Sequence, residues 1–175
     1  MKNNLIPIAT LTLVCMTAVP VSAQFGRLFG GPKIETVETD ELNKMLSQQH
    51  QAVLKAKDSG TEAPEANFVL VDVRSNKEVK VSVIPGAITK QQYEEDPAKY
   101  RGKLVIAYCT VGGRSGNYAR ELAGKDVKVK NYEGSILKWV GAGLPLITLD
   151  GQPTKRVHTY SDRYKIPAQY EQIAD

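Results

Sequence analysis

The sequence predicts an α/β domain built on a mostly parallel sheet. Three observations predict it. Phe68–Val73, interrupted at Asp72, and Leu104–Tyr108 are apolar at consecutive positions, the pattern of strands covered on both faces. Segments with helical spacing alternate with these strands, as βα units require. The second run passes through Cys109-Thr110-Val111-Gly112-Gly113-Arg114-Ser115 into Asn117–Ala123, a strand, a tight glycine-containing loop and a helix start.

Residues 1–23 read as a secretory signal peptide, not as part of the fold. Lys2 supplies the positive start, Leu5–Val19 the mostly apolar core, and Val21 and Ala23 the small residues before a cleavage site at Gln24. The apolar core is short for a membrane span. Val14 before Cys15 departs from a lipoprotein signal, and an uncleaved anchor is the other alternative. Cleavage leaves 152 of the 175 residues, and losing one lysine and no acid takes the net charge from +4 to +3. The protein is thus expected to be periplasmic or secreted, with no stable membrane insertion after cleavage. Cys109 becomes its one cysteine, an odd thiol in an oxidising compartment. The basic residues are scattered, which speaks against nucleic acid as a partner. The modest positive charge favours small anions.

Gln24–Lys33 reads as a flexible leader and 34–149 as the domain. Thr39 is the expected N-cap of a helix to about Lys55, with Asp40 and Glu41 in its first turn and Leu42, Met45, Leu46, Val53 and Leu54 at helical spacing. Lys57–Ala66 reads as a polar loop before the first buried strand. Asp72 and Arg74 break the apolar pattern at that strand's end. They read either as a structural ion pair, with each other or with Glu78, or as a lining or brace of the cysteine pocket. Ile84-Pro85-Gly86-Ala87 has proline and glycine in type II turn positions. Gln92–Tyr100 is a polar connection with about one helical turn. Val127–Tyr132 alternates as a further strand, and Gly134–Val140 is a short helix whose Trp139 reads as core. Residues 150–175 read as a terminal strand or arm, then a poorly ordered end.

The cysteine loop carries the chemistry. Glycines allow successive N–H groups to turn inward as an anion nest, and the positive end of the following helix points the same way. A thiol held there has a lowered pKa. Arg114 adds a cation and a fork of donors. No second cysteine makes a Cys-x-x-Cys centre, and no P-loop or dinucleotide fingerprint is present. His50 and His158 have no metal-ligand spacing, and no metal or organic cofactor is expected. His158 reads as a surface histidine, with a Cys–His protease pair as the alternative.

Val71-Asp72-Val73-Arg74, Ile84-Pro85-Gly86-Ala87, the Cys109–Ser115 loop and Glu133–Pro145 resemble, in order and spacing, a single rhodanese domain from about Glu35 to Ile147. The resemblance implies a three-layer domain with a central parallel sheet flanked by helices. It also implies sulfur transfer through a cysteine persulfide, from thiosulfate or a similar small anionic donor to cyanide, a thiol or a protein acceptor. Carried onto this chain, Cys109 is the nucleophile and the amides of Thr110, Val111, Gly112, Gly113, Arg114 and Ser115 stabilise its charge. Arg114 faces the donor or braces the loop, and Asp72 and Arg74 support the structure. Related phosphatases need one more residue between cysteine and arginine, so the shorter loop suits a single sulfur atom better. Val83 stands where the family commonly has histidine before the Ile-Pro-Gly-Ala turn, and the loop position after the cysteine, often basic or polar in the family, is Thr110, followed by apolar Val111. A module that carries sulfur or docks a partner without turnover is the rival reading.

Overall fold

A computed structural model describes residues 33–175. The expected signal peptide and all of the leader except Lys33 lie outside the described residues. Five parallel strands form the main sheet: β1 (Glu35–Thr36), β2 (Phe68–Asp72), β3 (Ala87–Thr89), β4 (Leu104–Tyr108) and β5 (Val129–Asn131), in the order β1-β5-β4-β2-β3. The central pair β2–β4 runs in register from Phe68 opposite Leu104 to Asp72 opposite Tyr108. Both strands therefore end at the same rim, where ligands gather in open parallel sheets.

Alternate side chains of the central strands enter different cores. Leu70, Ile106 and Tyr108 join the face covered by α1 (Thr39–Asp58) and by α5 (Ser135–Gly141), with Leu42, Ile136, Trp139 and Val140. Val69, Val71, Val105 and Ala107 join the opposite face, with Tyr93 of α3 (Lys90–Glu95) and Tyr118 and Leu122 of α4 (Gly113–Ala123). The result is the expected helix–sheet–helix sandwich. Trp139 is buried in it, its indole N–H donating to the Pro145 carbonyl at 2.8 Å.

Several boundaries differ from expectation. Glu38, not Thr39, occupies the α1 cap position, and the Thr39 hydroxyl lies 2.9 Å from that of Tyr132. A long-range partner has taken the side chain away from capping. α1 continues to Asp58, α3 and a 3₁₀ turn at Pro97–Tyr100 occupy the expected polar connection, and the last sheet strand contracts to three residues. The expected type II turn is present: Gly86 has φ +82°, and Ala87 N–H donates to the Ile84 carbonyl at 3.0 Å.

The C-terminal arm is more structured than its polar sequence implies. β6 (Leu146–Ile147) pairs with β7 (Pro153–Thr154), and β8 (Arg156–His158) pairs in parallel with β9 (Glu171–Ile173). Val157 and Tyr170 enter the main core, and Asp175, expected in a disordered end, pairs with Lys77 of the short helix α2 (Asn76–Val79). A few well-placed apolar anchors suffice to dock an otherwise polar segment. No helix among the described residues is long and apolar enough to cross a membrane.

Candidate active site

Cys109 follows β4 directly and is almost fully buried. Its backbone is held from behind. Its N–H donates to Ser135 Oγ at 3.0 Å, and its carbonyl accepts from Ile136 N–H at 3.1 Å. The Thr110 carbonyl accepts from Leu137 N–H at 3.3 Å, so the first turn of α5 anchors the start of the loop. Ser135 itself sits at φ +53°, an uncommon conformation for a residue with a side chain, and its hydroxyl donates to the Tyr132 carbonyl at 2.9 Å.

The loop then turns its amides toward the sulfur. Gly112 N–H donates to Sγ at 3.1 Å. Gly112 has φ +92°, and a Cβ there would lie 2.4 Å from the Glu133 carbonyl oxygen. Only glycine satisfies both constraints. Ser115 Oγ lies 3.1 Å from the Gly112 carbonyl and 3.6 Å from Sγ, and its single hydrogen can serve either acceptor. Burial pushes the Cys109 thiol pKa up. The Ser115 N–H and hydroxyl, with the N–H groups of Val111 and Gly112, more than offset this, and the net shift is downward.

Arg114 braces the loop. Its Nη1 and Nη2 donate to the two Glu78 oxygens at 2.7 Å each, and Nη2 also donates to Thr110 Oγ1 at 2.8 Å. Thr110 in turn donates to Glu78 Oε1 at 2.9 Å. Glu78 further accepts from the Ser75 N–H and hydroxyl. Burial raises the Glu78 pKa, but the bonds from Arg114, Ser75 and Thr110 outweigh it and hold the carboxyl at about 2. Glu78 was legible only as a partner for Asp72 or Arg74; the Ser75-x-x-Glu78 capping pattern was the one sequence signal marking it.

Asp72 and Arg74 take the ion-pair reading, with each other. Arg74 Nη2 donates to Asp72 Oδ2 at 2.7 Å and to the Ser82 carbonyl at 2.6 Å, with both side chains fully buried. Burial opposes the Arg74 charge, and the Asp72 carboxylate more than restores it, raising the pKa above its ordinary value. Neither residue lines the cysteine cavity.

That cavity, about 320 Å³, is lined by Cys109, Thr110, Val111, Gly113, Arg114, Tyr160 and Tyr164. Gly112 and Ser115 contact the sulfur without forming its walls. The two tyrosines come from the C-terminal arm, and no motif pointed to them. His158 is buried, contrary to a surface position. Its Nδ1 accepts from Tyr160 N–H at 3.1 Å and its Nε2 lies 3.4 Å from an Asp175 oxygen, so both ring nitrogens are directed at the arm and not at Cys109. Among the described residues, no group of three or more His, Cys, Asp or Glu side chains is placed to hold a metal.

The model of the rhodanese-like domain matches residues 39–142. A tRNA sulfurtransferase of Desulfurococcus amylolyticus is 38% identical over 71 residues, covering 41% of this chain and 14% of that protein. An uncharacterised protein of Synechocystis sp. is 32% identical over 89 residues, 49% of this chain and 50% of that one. The chain thus spans half or less of the length of these curated relatives. Among solved structures, a thiosulfate sulfurtransferase of Pseudomonas aeruginosa superposes over 68% of this chain and 21% of that one, with 22% identity and a TM-score of 0.46. The matched segment runs from the start of α1 to the end of α5 and contains the whole cysteine loop; with more than half of its length under the family model, the chain belongs to the rhodanese-like domain family.

Proposed function

We propose that this protein is a sulfurtransferase that carries sulfane sulfur as a persulfide on Cys109, taking it from thiosulfate or a similar small anion and passing it to a thiophilic acceptor. Family membership and the tRNA sulfurtransferase relative support sulfur transfer in general. The observation that carries the specific reading is the sulfur itself, with a lowered pKa, amides turned toward it, and a cavity in front.

In the first step the Cys109 thiolate attacks the outer sulfur of thiosulfate. A Cys109 S–S bond forms, the donor S–S bond breaks, and sulfite leaves with the electron pair. The persulfide retains one negative charge, which the Val111, Gly112 and Ser115 amides face. In the second step cyanide or a thiolate attacks the outer sulfur and the pair returns to Sγ. A covalent intermediate between two half-reactions predicts ping-pong kinetics. The expected signal peptide makes the periplasm or the exterior the proposed place of action.

The test is intact mass before and after thiosulfate, with Cys109→Ala alongside. A gain of one sulfur (about 32 Da), reversed by cyanide and absent from the variant, is the expected result for this covalent step. No gain on a demonstrably reduced thiol refutes thiosulfate as donor. Loading without repeated turnover identifies a carrier in place of an enzyme.

A further inference from the structure

The segment that closes the cysteine cavity lies outside the matched family region. Tyr160 and Tyr164 belong to the connection between β8 and β9, after residue 142. Three observations show that their placement is built into the arm. Tyr160 has φ +67°, an uncommon conformation for a bulky residue, held by its N–H bond to buried His158. Gln172 of β9 staples the connection, its Nε2 placing two hydrogens among three acceptors, Thr159 Oγ1 and the Tyr164 carbonyl at 2.9 Å and the Ser161 carbonyl at 3.2 Å. The Tyr160 ring lies 5.5 Å from the Arg114 guanidinium carbon, a cation–π distance that draws the ring to the cavity rim.

The walls so formed are mainly apolar. Val111 is 47% exposed and Tyr160 59% exposed at the rim, a location where isolated apolar side chains gain nothing from water. Arg114 is the single cation among the lining residues, and Glu78 already occupies both ends of its fork. A small anion therefore meets the loop amides and a guanidinium already paired with Glu78, whereas a larger acceptor also meets two rings and a valine. The volume of about 320 Å³ equals roughly ten water molecules at about 30 Å³ each. That is far more room than one transferred sulfur atom needs.

Resting on the persulfide reading, we propose that Tyr160, Tyr164 and Val111 select the sulfur acceptor, and that the acceptor class is organic thiols with an apolar body of about ring size. The acceptor thiolate attacks the outer sulfur of the Cys109 persulfide. The acceptor S–S bond forms, the Cys109 S–S bond breaks, the pair returns to Sγ, and the persulfide's negative charge stays with the transferred sulfur. Contact with one ring face and the valine supplies about tenfold in rate, the equivalent of about 1.4 kcal/mol.

The test uses the full protein loaded with sulfur and discharged by two thiols of similar basicity, benzyl mercaptan and 2-mercaptoethanol. The readout is the ratio of their second-order rate constants, which cancels changes in the leaving thiolate. The expected ratio falls about tenfold in Tyr160→Gly combined with Tyr164→Ala, and is largely kept in Tyr160→Phe. Glycine also relieves the positive φ, so the variant does not rely on a strained backbone. An unchanged ratio in the double variant, or a wild-type ratio equal to that of a small-molecule persulfide, overturns the proposal. Failure to form any Cys109 persulfide, from thiosulfate or polysulfide, overturns the underlying reading as well and is seen at the loading step, before any acceptor is added.

Discussion

Replacing Glu78 by Gln removes one charge and little volume from behind the cysteine loop. The carboxylate is 2% exposed and accepts from Arg114, Thr110 and Ser75. Its folded pKa is about 2 against an ordinary 4.5. At about 1.4 kcal/mol per pKa unit this corresponds to at most about 3–4 kcal/mol. The Arg114 side chain is 41% exposed, and solvent screening reduces the figure to about 2 kcal/mol. Because the folded pKa is depressed, this stability is fully present above pH 4.5 and is lost as pH falls toward 2. Urea unfolding of wild type and Glu78→Gln between pH 6 and 2.5 measures it, and subtraction cancels the other carboxylates. The expected gap has a pH-dependent part of about 2 kcal/mol at pH 6 that shrinks to about a quarter near pH 2.5. A pH-independent misfit of the Gln amide against the Arg114 fork adds a constant. A gap that stays constant throughout refutes the assignment of Glu78 as the buried counter-ion. In the same variant Arg114 loses its partner while remaining close enough to act on Cys109, so the pH profile of thiol alkylation moves to lower pH.

Gly112→Ala places a methyl group 2.4 Å from the Glu133 carbonyl oxygen at φ +92°. The expected cost is about 2–4 kcal/mol in urea unfolding, with slower alkylation of Cys109 at neutral pH because the Gly112 N–H leaves the sulfur. Ser115→Ala keeps the amide and removes the hydroxyl donor. The expected result is a higher thiol pKa, read as an alkylation profile shifted to higher pH and about fivefold slower reaction near pH 7. Asp72→Asn strips the counter-charge from fully buried Arg74 and is expected to cost about 3–5 kcal/mol in urea unfolding.

The parts legible in the sequence are those whose physics is local. Leu104–Tyr108 and Phe68–Asp72 are apolar on both faces and became neighbouring central strands, and Pro85-Gly86 formed the turn its residue types specify. The cysteine loop was readable because glycine, cysteine and helix start are adjacent in the chain. Short pieces gave no pattern: β1 and β3 have two and three residues, too few for a period to emerge. Residues acting across the fold were also silent. Ser135 meets Cys109 across 26 positions and Glu78 meets Arg114 across 36, and neither pairing leaves a trace in spacing. Thr39 shows the same limit from the other side, since a good local capping residue was claimed by Tyr132 93 positions away. The arm misled because its polar composition conceals Val157 and Tyr170, which enter the core, and Ile166, which packs against it.

The close approach of Gly112 to Glu133 has a consequence for when the thiol becomes reactive. The amide that meets the sulfur is positioned only once the chain 21 residues downstream has docked, since Glu133 forms the floor on which Gly112 rests. Until then Cys109 has the acidity of an ordinary thiol, with a pKa of about 8.5, and is mostly protonated at neutral pH. A nascent or unfolded chain is therefore comparatively inert to oxidants and electrophiles. Nucleophilicity is acquired at the end of folding, as a property of the closed structure and not of the residue, and alkylation rate followed during refolding should rise with the last tertiary contacts instead of with initial collapse.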